Sequence, residues 1–211
     1  MIICGHYGCG KTNLALNLAL EAPAPVVLAD MDIVNPYFRS SEYRDLLAGR
    51  GVGLIAPVFA GTTLDTPTLA PELGSIFAQG AGRVFIDAGG DDAGATALGG
   101  LSGRLMAAGY EMIYVINRYR ALSQTPEEAA ALLGQIEAAC RLKATGIVNN
   151  SHLGAETTLD VLKEALPFAQ ETARLCSLPL LYSTAPDFAL GGQPPPEGFR
   201  KVQRLVRFAW D

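Results

Sequence analysis

Short apolar runs alternate along this chain with longer stretches of helical spacing. The runs Met1–Cys4, Val26–Asp30, Gly53–Pro57, Arg83–Asp87, Met112–Asn117, Thr145–Asn149 and Leu178–Tyr182 read as strands. Helical patterns lie between most of them. Thr12–Glu21 places Leu14 and Leu18 on one side, and Glu127–Leu142 follows the helix-start pair Thr125-Pro126 and turns Leu132, Leu133, Ile136 and Cys140 inward. Thr157–Cys176 has similar spacing, and Pro167 is expected to kink or split it, because proline removes a backbone donor and clashes with the preceding turn. Strands alternating with helices mean βαβ units. The expected fold class is therefore α/β, a three-layer sandwich in which a mostly parallel central sheet is flanked by helices, with right-handed crossovers.

Two stretches read as loops. Gly61–Pro71 is rich in Thr and Pro, and Thr184–Gly198 contains Gly191-Gly192 and Pro194-Pro195-Pro196. Neither is long enough to separate domains, so residues 1–211 are expected to form one domain. In Phe199–Trp210, Val202, Leu205, Val206 and Phe208 interleave with Arg200, Lys201, Arg204 and Arg207. That pattern reads as an amphipathic helix packed on the sheet. A basic membrane-surface helix looks much the same, but four cations on one helix are a weak signal for it, so membrane contact is not expected.

Composition narrows the class. A hydrophobic fraction of 49% with only 18% charged residues suits a sheet covered on both faces, whose strands are apolar throughout. No apolar run approaches the ~18 residues of a membrane span. The four cysteines form no CxxC pair and no disulfide-like spacing, and no signal peptide precedes the first strand, so a reducing cytoplasm is the expected location. A net charge of −5 argues against a general nucleic-acid binder. His152 has no cysteine neighbour with which to build a metal site.

The strongest chemical signal is Gly5-x-x-x-x-Gly10-Lys11-Thr12, set between an apolar run and a helical pattern as a P-loop must be. Gly8 and Gly10 let the backbone curl so that successive N–H groups form an anion nest. The following helix adds its N-terminal dipole, Lys11 sets a point charge against β- and γ-phosphates, and the Thr12 hydroxyl can ligate magnesium. Asp30 and Asp32, Asp87, and Asn149-Asn150 each close a strand candidate. In a parallel sheet ligands bind beyond the carboxyl ends of the strands, so all of these belong on the edge that carries the P-loop.

This ordered set resembles the MinD/ParA-type branch of the P-loop ATPases (the SIMIBI class), which includes arsenite-pump ATPases, nitrogenase iron protein and nickel-insertion ATPases. The resemblance implies ATP and Mg2+ as ligands, the nucleotide lying against Gly8, Cys9, Gly10, Lys11, Thr12 and Asn13. It implies catalytic roles for Lys11 and for Asp32, the latter orienting the attacking water, with Asp91 and Asp92 able to share that task. By the same resemblance, Thr12, Asp30 and Asp87 serve the magnesium, and Gly89 or Gly90 offers a backbone N–H to the γ-phosphate. Asn149 or Asn150 reads the adenine edge with help from Ala185-Pro186-Asp187. A homodimer formed on ATP binding and a protein partner of unknown identity are further implications. One departure stands out: where the branch carries a signature lysine that reaches into a partner's site, this chain has His6.

Three functions follow as expectations. The first is a slow Mg-dependent ATPase acting as a nucleotide-driven switch. The second is an ATP-dependent metabolic enzyme of the dethiobiotin or cobyrinate synthetase type, with Gly61–Pro71 and Tyr37–Arg39 lining an acceptor site. The third is a non-hydrolysing nucleotide-binding module. No Asn-Lys-x-Asp guanine motif follows Val148, which favours adenine. No CxC pair is present to carry nickel. Arg39 fits a phosphate contact or a surface salt bridge equally well, and Cys9 fits either a redox-sensitive thiolate or a small residue at a permissive position.

Overall fold

The computed structural model describes residues 1–31, 43–55, 74, 76–77, 82–89 and 92–206. Eight parallel strands form one sheet: β1 (Ile2–Gly5), β2 (Val26–Met31), β3 (Val52–Ile55), β4 (Arg83–Ala88), β5 (Met112–Ile116), β6 (Gly146–Asn149), β7 (Leu180–Pro186) and β8 (Phe199–Val202). Their order across the sheet is β3-β2-β4-β1-β5-β6-β7-β8. The expected three-layer α/β architecture is what forms, with a sheet that is parallel throughout.

Alternation along each strand divides the core in two. Ile3, Val26, Leu28, Phe85, Ile113, Val115 and Val148 face one side, where α1 (Lys11–Glu21) and α2 (Arg44–Ala48) bury Leu14, Ala15, Leu18 and Leu47 against them. Ile2, Cys4, Ile86, Met112, Tyr114, Ile116 and Ile147 face the other. There α3 (Asp92–Gly100), α4 (Ser102–Ala108), α5 (Pro126–Cys140) and α7 (Leu166–Cys176) supply Leu98, Leu105, Leu133 and Phe168. Each such large side chain taken fully from water stabilises the fold by roughly 1.5–3 kcal/mol, which is why strands buried on both faces read as unbroken apolar runs.

The helix signals had the expected consequences. At α5, Thr125 Oγ1 accepts from the Glu128 N–H at 3.2 Å while the Glu128 carboxylate accepts from the Thr125 N–H at 3.1 Å, a complete capping box. Pro167 splits the Thr157–Cys176 pattern into α6 (Leu159–Glu164) and α7, and sits in the first turn of α7, where its missing N–H costs nothing. Among the described residues, no helix is long and apolar enough to cross a membrane.

Phe199–Trp210 is the clear correction. Phe199–Val202 is strand β8, paired with β7, and residues 203–206 continue without regular structure. Two asparagines one turn apart on α1 satisfy the backbone here. Asn17 donates to the carbonyls of Asn13 and Gln203 and accepts from the Gln203 N–H at 2.7 Å. Asn13 donates to the Gln203 carbonyl and accepts from the N–H groups of Leu205 and Val206 at 2.9 and 3.1 Å. Val202 is buried and Leu205 and Val206 pack beside it on the α1 face, so the apolar pattern records contact with α1 and not a helical period. Residues 207–211 lie outside the described residues.

Candidate functional site

β1 ends at Gly5, and the chain turns through residues 6–10 into α1. Gly8 and Gly10 have φ of 73° and 91°, in the left-handed region that glycine enters without strain. Gly10 precedes α1 with no side-chain cap, and the first turn contains no acidic residue. The contrast with α5 is informative: that helix closes its own N-terminus with side chains, whereas α1 has no side-chain cap and its dipole favours an anion there. Lys11 is buried and donates to the His6 carbonyl at 3.1 Å, an oxygen that also accepts from the Cys9 N–H.

A cleft of about 180 Å³ opens over this turn. Gly8, Gly10, Lys11 and Thr12 form its floor; Asn150, His152 and Pro186 come from the ends of β6 and β7; Arg120 comes from the loop after β5; Val202, Arg204 and Val206 come from β8 and its continuation. No Asp or Glu is among the described residues that line it, while Lys11, Arg120 and Arg204 are. The cleft therefore suits an anion.

The structure separates the two asparagines that the sequence left as alternatives. Asn150 lines the cleft, donating to the Cys9 carbonyl at 2.7 Å and accepting from the Thr184 hydroxyl, so it braces the P-loop and keeps one N–H and one lone pair in reserve. A Cβ on Gly10 would lie only 2.2 Å from the Asn150 Nδ2, a second reason for glycine there. Asn149 is not among the described residues that line the cleft and belongs to a buried network, donating to the Ser183 hydroxyl and accepting from the Ser151 N–H and hydroxyl. Pro186 lines the cleft, whereas the Asp187 carboxylate caps the Phe188 N–H on the exposed surface. Asn13 reaches the cleft wall, but its amide is engaged with the segment after β8.

Asp30 and Asp87 stand opposite each other in register on β2 and β4, both buried. Asp30, Asp87 and the Thr12 hydroxyl in the first turn of α1 are all oxygen donors, the chemistry suited to magnesium, a hard cation that takes few protein ligands beside phosphate and water. The described residues contain no cluster of three or more His, Cys, Asp or Glu side chains that would hold a metal alone. Asp32, Gly90 and Asp91, together with Tyr37–Arg39 and Gly61–Pro71, lie outside the described residues. Gly89 is buried and α3 packs on it, since a Cβ on Gly94 would come within 2.4 Å of the Gly89 Cα.

Cys9 corrects the thiolate reading. Its side chain is fully buried beneath the loop, and burial raises its pKa against the smaller opposing pull of Lys11, so the thiol stays protonated. His6 is held below the ordinary histidine range, first by burial and then by Lys11, against the opposing effect of its hydrogen bond to the Ala121 backbone. It is neutral at pH 7 and supplies no cation.

Sequence reasoning missed Arg120, His152 and Arg204. His152 accepts the Gly154 N–H on Nδ1 at 3.1 Å, which leaves its proton on Nε2, beside Gly10. Burial, then Arg120 and Arg204, push its pKa down to about 4. Between pH 6.5 and 4 the unfolded chain therefore binds a proton that the folded chain refuses, so stability falls as pH drops through that window and levels off below it. The loss attributable to His152 is on the order of 3 kcal/mol. Urea unfolding of the wild type and His152→Gln at pH 7 and pH 4.5 measures it: the variant should lose much less stability on acidification, and equal losses would show that His152 does not contribute.

The parallel sheet, the glycine-rich turn between its first strand and helix, and the ligand edge at the strand carboxyl ends define the P-loop NTPase fold. Solved structures with this architecture include signal recognition particle receptor FtsY from Elizabethkingia anophelis, with 19% identity and a TM-score of 0.51 over 86% of this chain and 57% of that one. The same receptor in complex with GDP gives 16% identity and a TM-score of 0.52 over 87% and 56%. This chain thus spans little more than half the length of the receptor chains, and at such identity the likeness is one of fold. No family model and no curated protein matches the sequence.

Proposed function

We propose that this chain binds a nucleoside triphosphate with magnesium in the cleft over the β1–α1 turn and acts as a slow ATP-dependent switch of the MinD/ParA type. The observation that carries the reading is the convergence of an uncapped α1 N-terminus with Lys11, Arg120 and Arg204 in a cleft whose described lining has no carboxylate. The nest N–H groups and Lys11 hold the β- and γ-phosphates, Thr12, Asp30 and Asp87 hold magnesium directly or through water, and Asn150, Pro186 and Phe188 face the base. When bound, magnesium neutralises charge on the phosphate oxygens. The GDP complex of FtsY makes guanine the natural competitor. Specific guanine reading uses a carboxylate acceptor for its N–H donors, and the absence of one among the described lining residues favours adenine.

Neutral His6 favours weak hydrolysis, and in the limit a non-hydrolysing nucleotide module, because it adds no positive charge to a phosphoryl transition state. Calorimetric titration with Mg-ATP, Mg-GTP and Mg-ADP, combined with sedimentation and phosphate release on the same samples, tests the reading. Expected are tighter binding of ATP than GTP, slow phosphate release, and stronger self-association with ATP than with ADP. Failure of all three nucleotides to bind at millimolar concentration would overturn it, and identical oligomeric states in ATP and ADP would remove the switch.

A further inference from the structure

The geometry points to Arg120 as a phosphate ligand of the cleft, delivered by the loop that follows β5. This deepens the nucleotide reading above and rests on it. The loop is braced: the Arg120 N–H and the Ser123 hydroxyl both donate to the Asn117 carbonyl at 3.2 Å, the Tyr119 N–H donates to the Asn117 side-chain oxygen at 3.0 Å, and the Tyr119 hydroxyl donates to the Val161 carbonyl at 3.1 Å. Arg120 is thus presented from a fixed turn. Its neighbour Arg118 is directed elsewhere, donating to the Glu164 carbonyl at 2.9 Å. The Arg120 guanidinium lies across Gly8, where an added Cβ would sit 3.5 Å from Nε and 3.7 Å from Cζ. Those are ordinary van der Waals distances, so the guanidinium rests on Gly8.

Arg120 Nε is buried and has no hydrogen-bond partner among the described residues. A guanidinium N–H taken out of water without an acceptor is costly until one arrives. The described lining of the cleft offers no carboxylate, and Lys11 and Arg204 line the same space. Gly8 and Gly10, both in the left-handed region, turn the β1–α1 backbone beneath the same space. What satisfies the Arg120 Nε–H in a cleft of this charge is a group with several anionic oxygens, which is the chemistry of a di- or triphosphate. Arg120 is therefore built for the bound state at the expense of the free one.

That asymmetry supplies the test. Arg120→Gln and Arg120→Lys are compared with the wild type for binding of Mg-ATP, Mg-ADP and inorganic pyrophosphate at fixed salt, and for urea unfolding without ligand. Arg120→Gln is expected to weaken all three ligands by about 10- to 100-fold, the loss of one or two charge-assisted hydrogen bonds. Arg120→Lys should recover part of that affinity, since it restores the charge but not the Nε–H. The ligand-free Arg120→Gln protein should be as stable as the wild type or more so. Unchanged affinity in Arg120→Gln overturns the proposal, as does a ligand-free protein destabilised in step with the affinity loss, which marks a packing role. Weaker nucleotide binding with pyrophosphate untouched overturns it too, by moving Arg120 to the base or ribose. A wild type that binds none of the three ligands is a different failure, that of the nucleotide reading itself.

Discussion

A Lys11→Ala variant is expected to bind Mg-ATP about 100-fold more weakly than the wild type while folding to nearly the same stability, since a charge-assisted contact to phosphate carries roughly 1.5–3 kcal/mol. Two opposing effects decide the stability. The variant loses the 3.1 Å bond from Lys11 to the His6 carbonyl, a contribution of about 1 kcal/mol. It also removes a buried ammonium from a cleft shared with Arg120 and Arg204, which is a relief. Calorimetric titration and thermal unfolding on the same sample read both quantities. A variant that binds ATP as the wild type does would mean that the cleft is not a triphosphate site.

Gly5→Ala should be the most damaging of the P-loop glycine substitutions for the fold itself. Gly5 pairs with Val115 across the β1–β5 ladder at φ 152°, and a Cβ there would meet the Val115 carbonyl oxygen at 2.4 Å and the Cys9 Sγ at 2.8 Å. The first obstacle is backbone in the centre of the sheet and cannot swing aside. Combined overpacking and backbone strain are expected to cost about 3 kcal/mol or more, a large share of the roughly 5–15 kcal/mol that holds a domain of this size together. Gly191→Ala is the control: its φ is 54° with nothing within 4 Å of the added carbon, so only left-handed strain of about 1 kcal/mol applies. Urea unfolding of the two variants should separate them clearly. Equal midpoints would mean that the sheet yields at Gly5 more easily than its geometry indicates.

The first strand and its loop explain what was legible in the sequence. Ile2, Ile3 and Cys4 are apolar on both faces because both faces are covered, and the glycine, lysine and threonine that follow have the spacing of the P-loop motif. Asp30 and Asp87 could be placed on one edge because all strands run in one direction, and they stand in register. Arg120 was within reach of the same rule, since it lies just beyond the strand read as Met112–Asn117, but an arginine in a turn looks like any solvated cation until Gly8 is seen beneath it. Arg204 was hidden differently. A strand as short as Phe199–Val202 followed by an extended segment gives too few residues to tell a period of 2 from one of 3.6, so contact with α1 passed for a helical face. Asn17 carried a signal that went unread: a buried amide on an apolar helix must have partners, and their identity lay 186 residues away.

That separation bears on how the molecule comes into being. The helix after the P-loop is synthesised well before the backbone that its two asparagines grasp and one wall of the cleft, which arrive with Val202, Gln203 and the residues just beyond. A nascent chain halted before β8 has the whole phosphate motif and still lacks the side of the cleft that Val202, Arg204 and Val206 provide. On the proposed reading, nucleotide is thereby a ligand of the finished sheet, able to favour its completion by mass action but not to template its beginning.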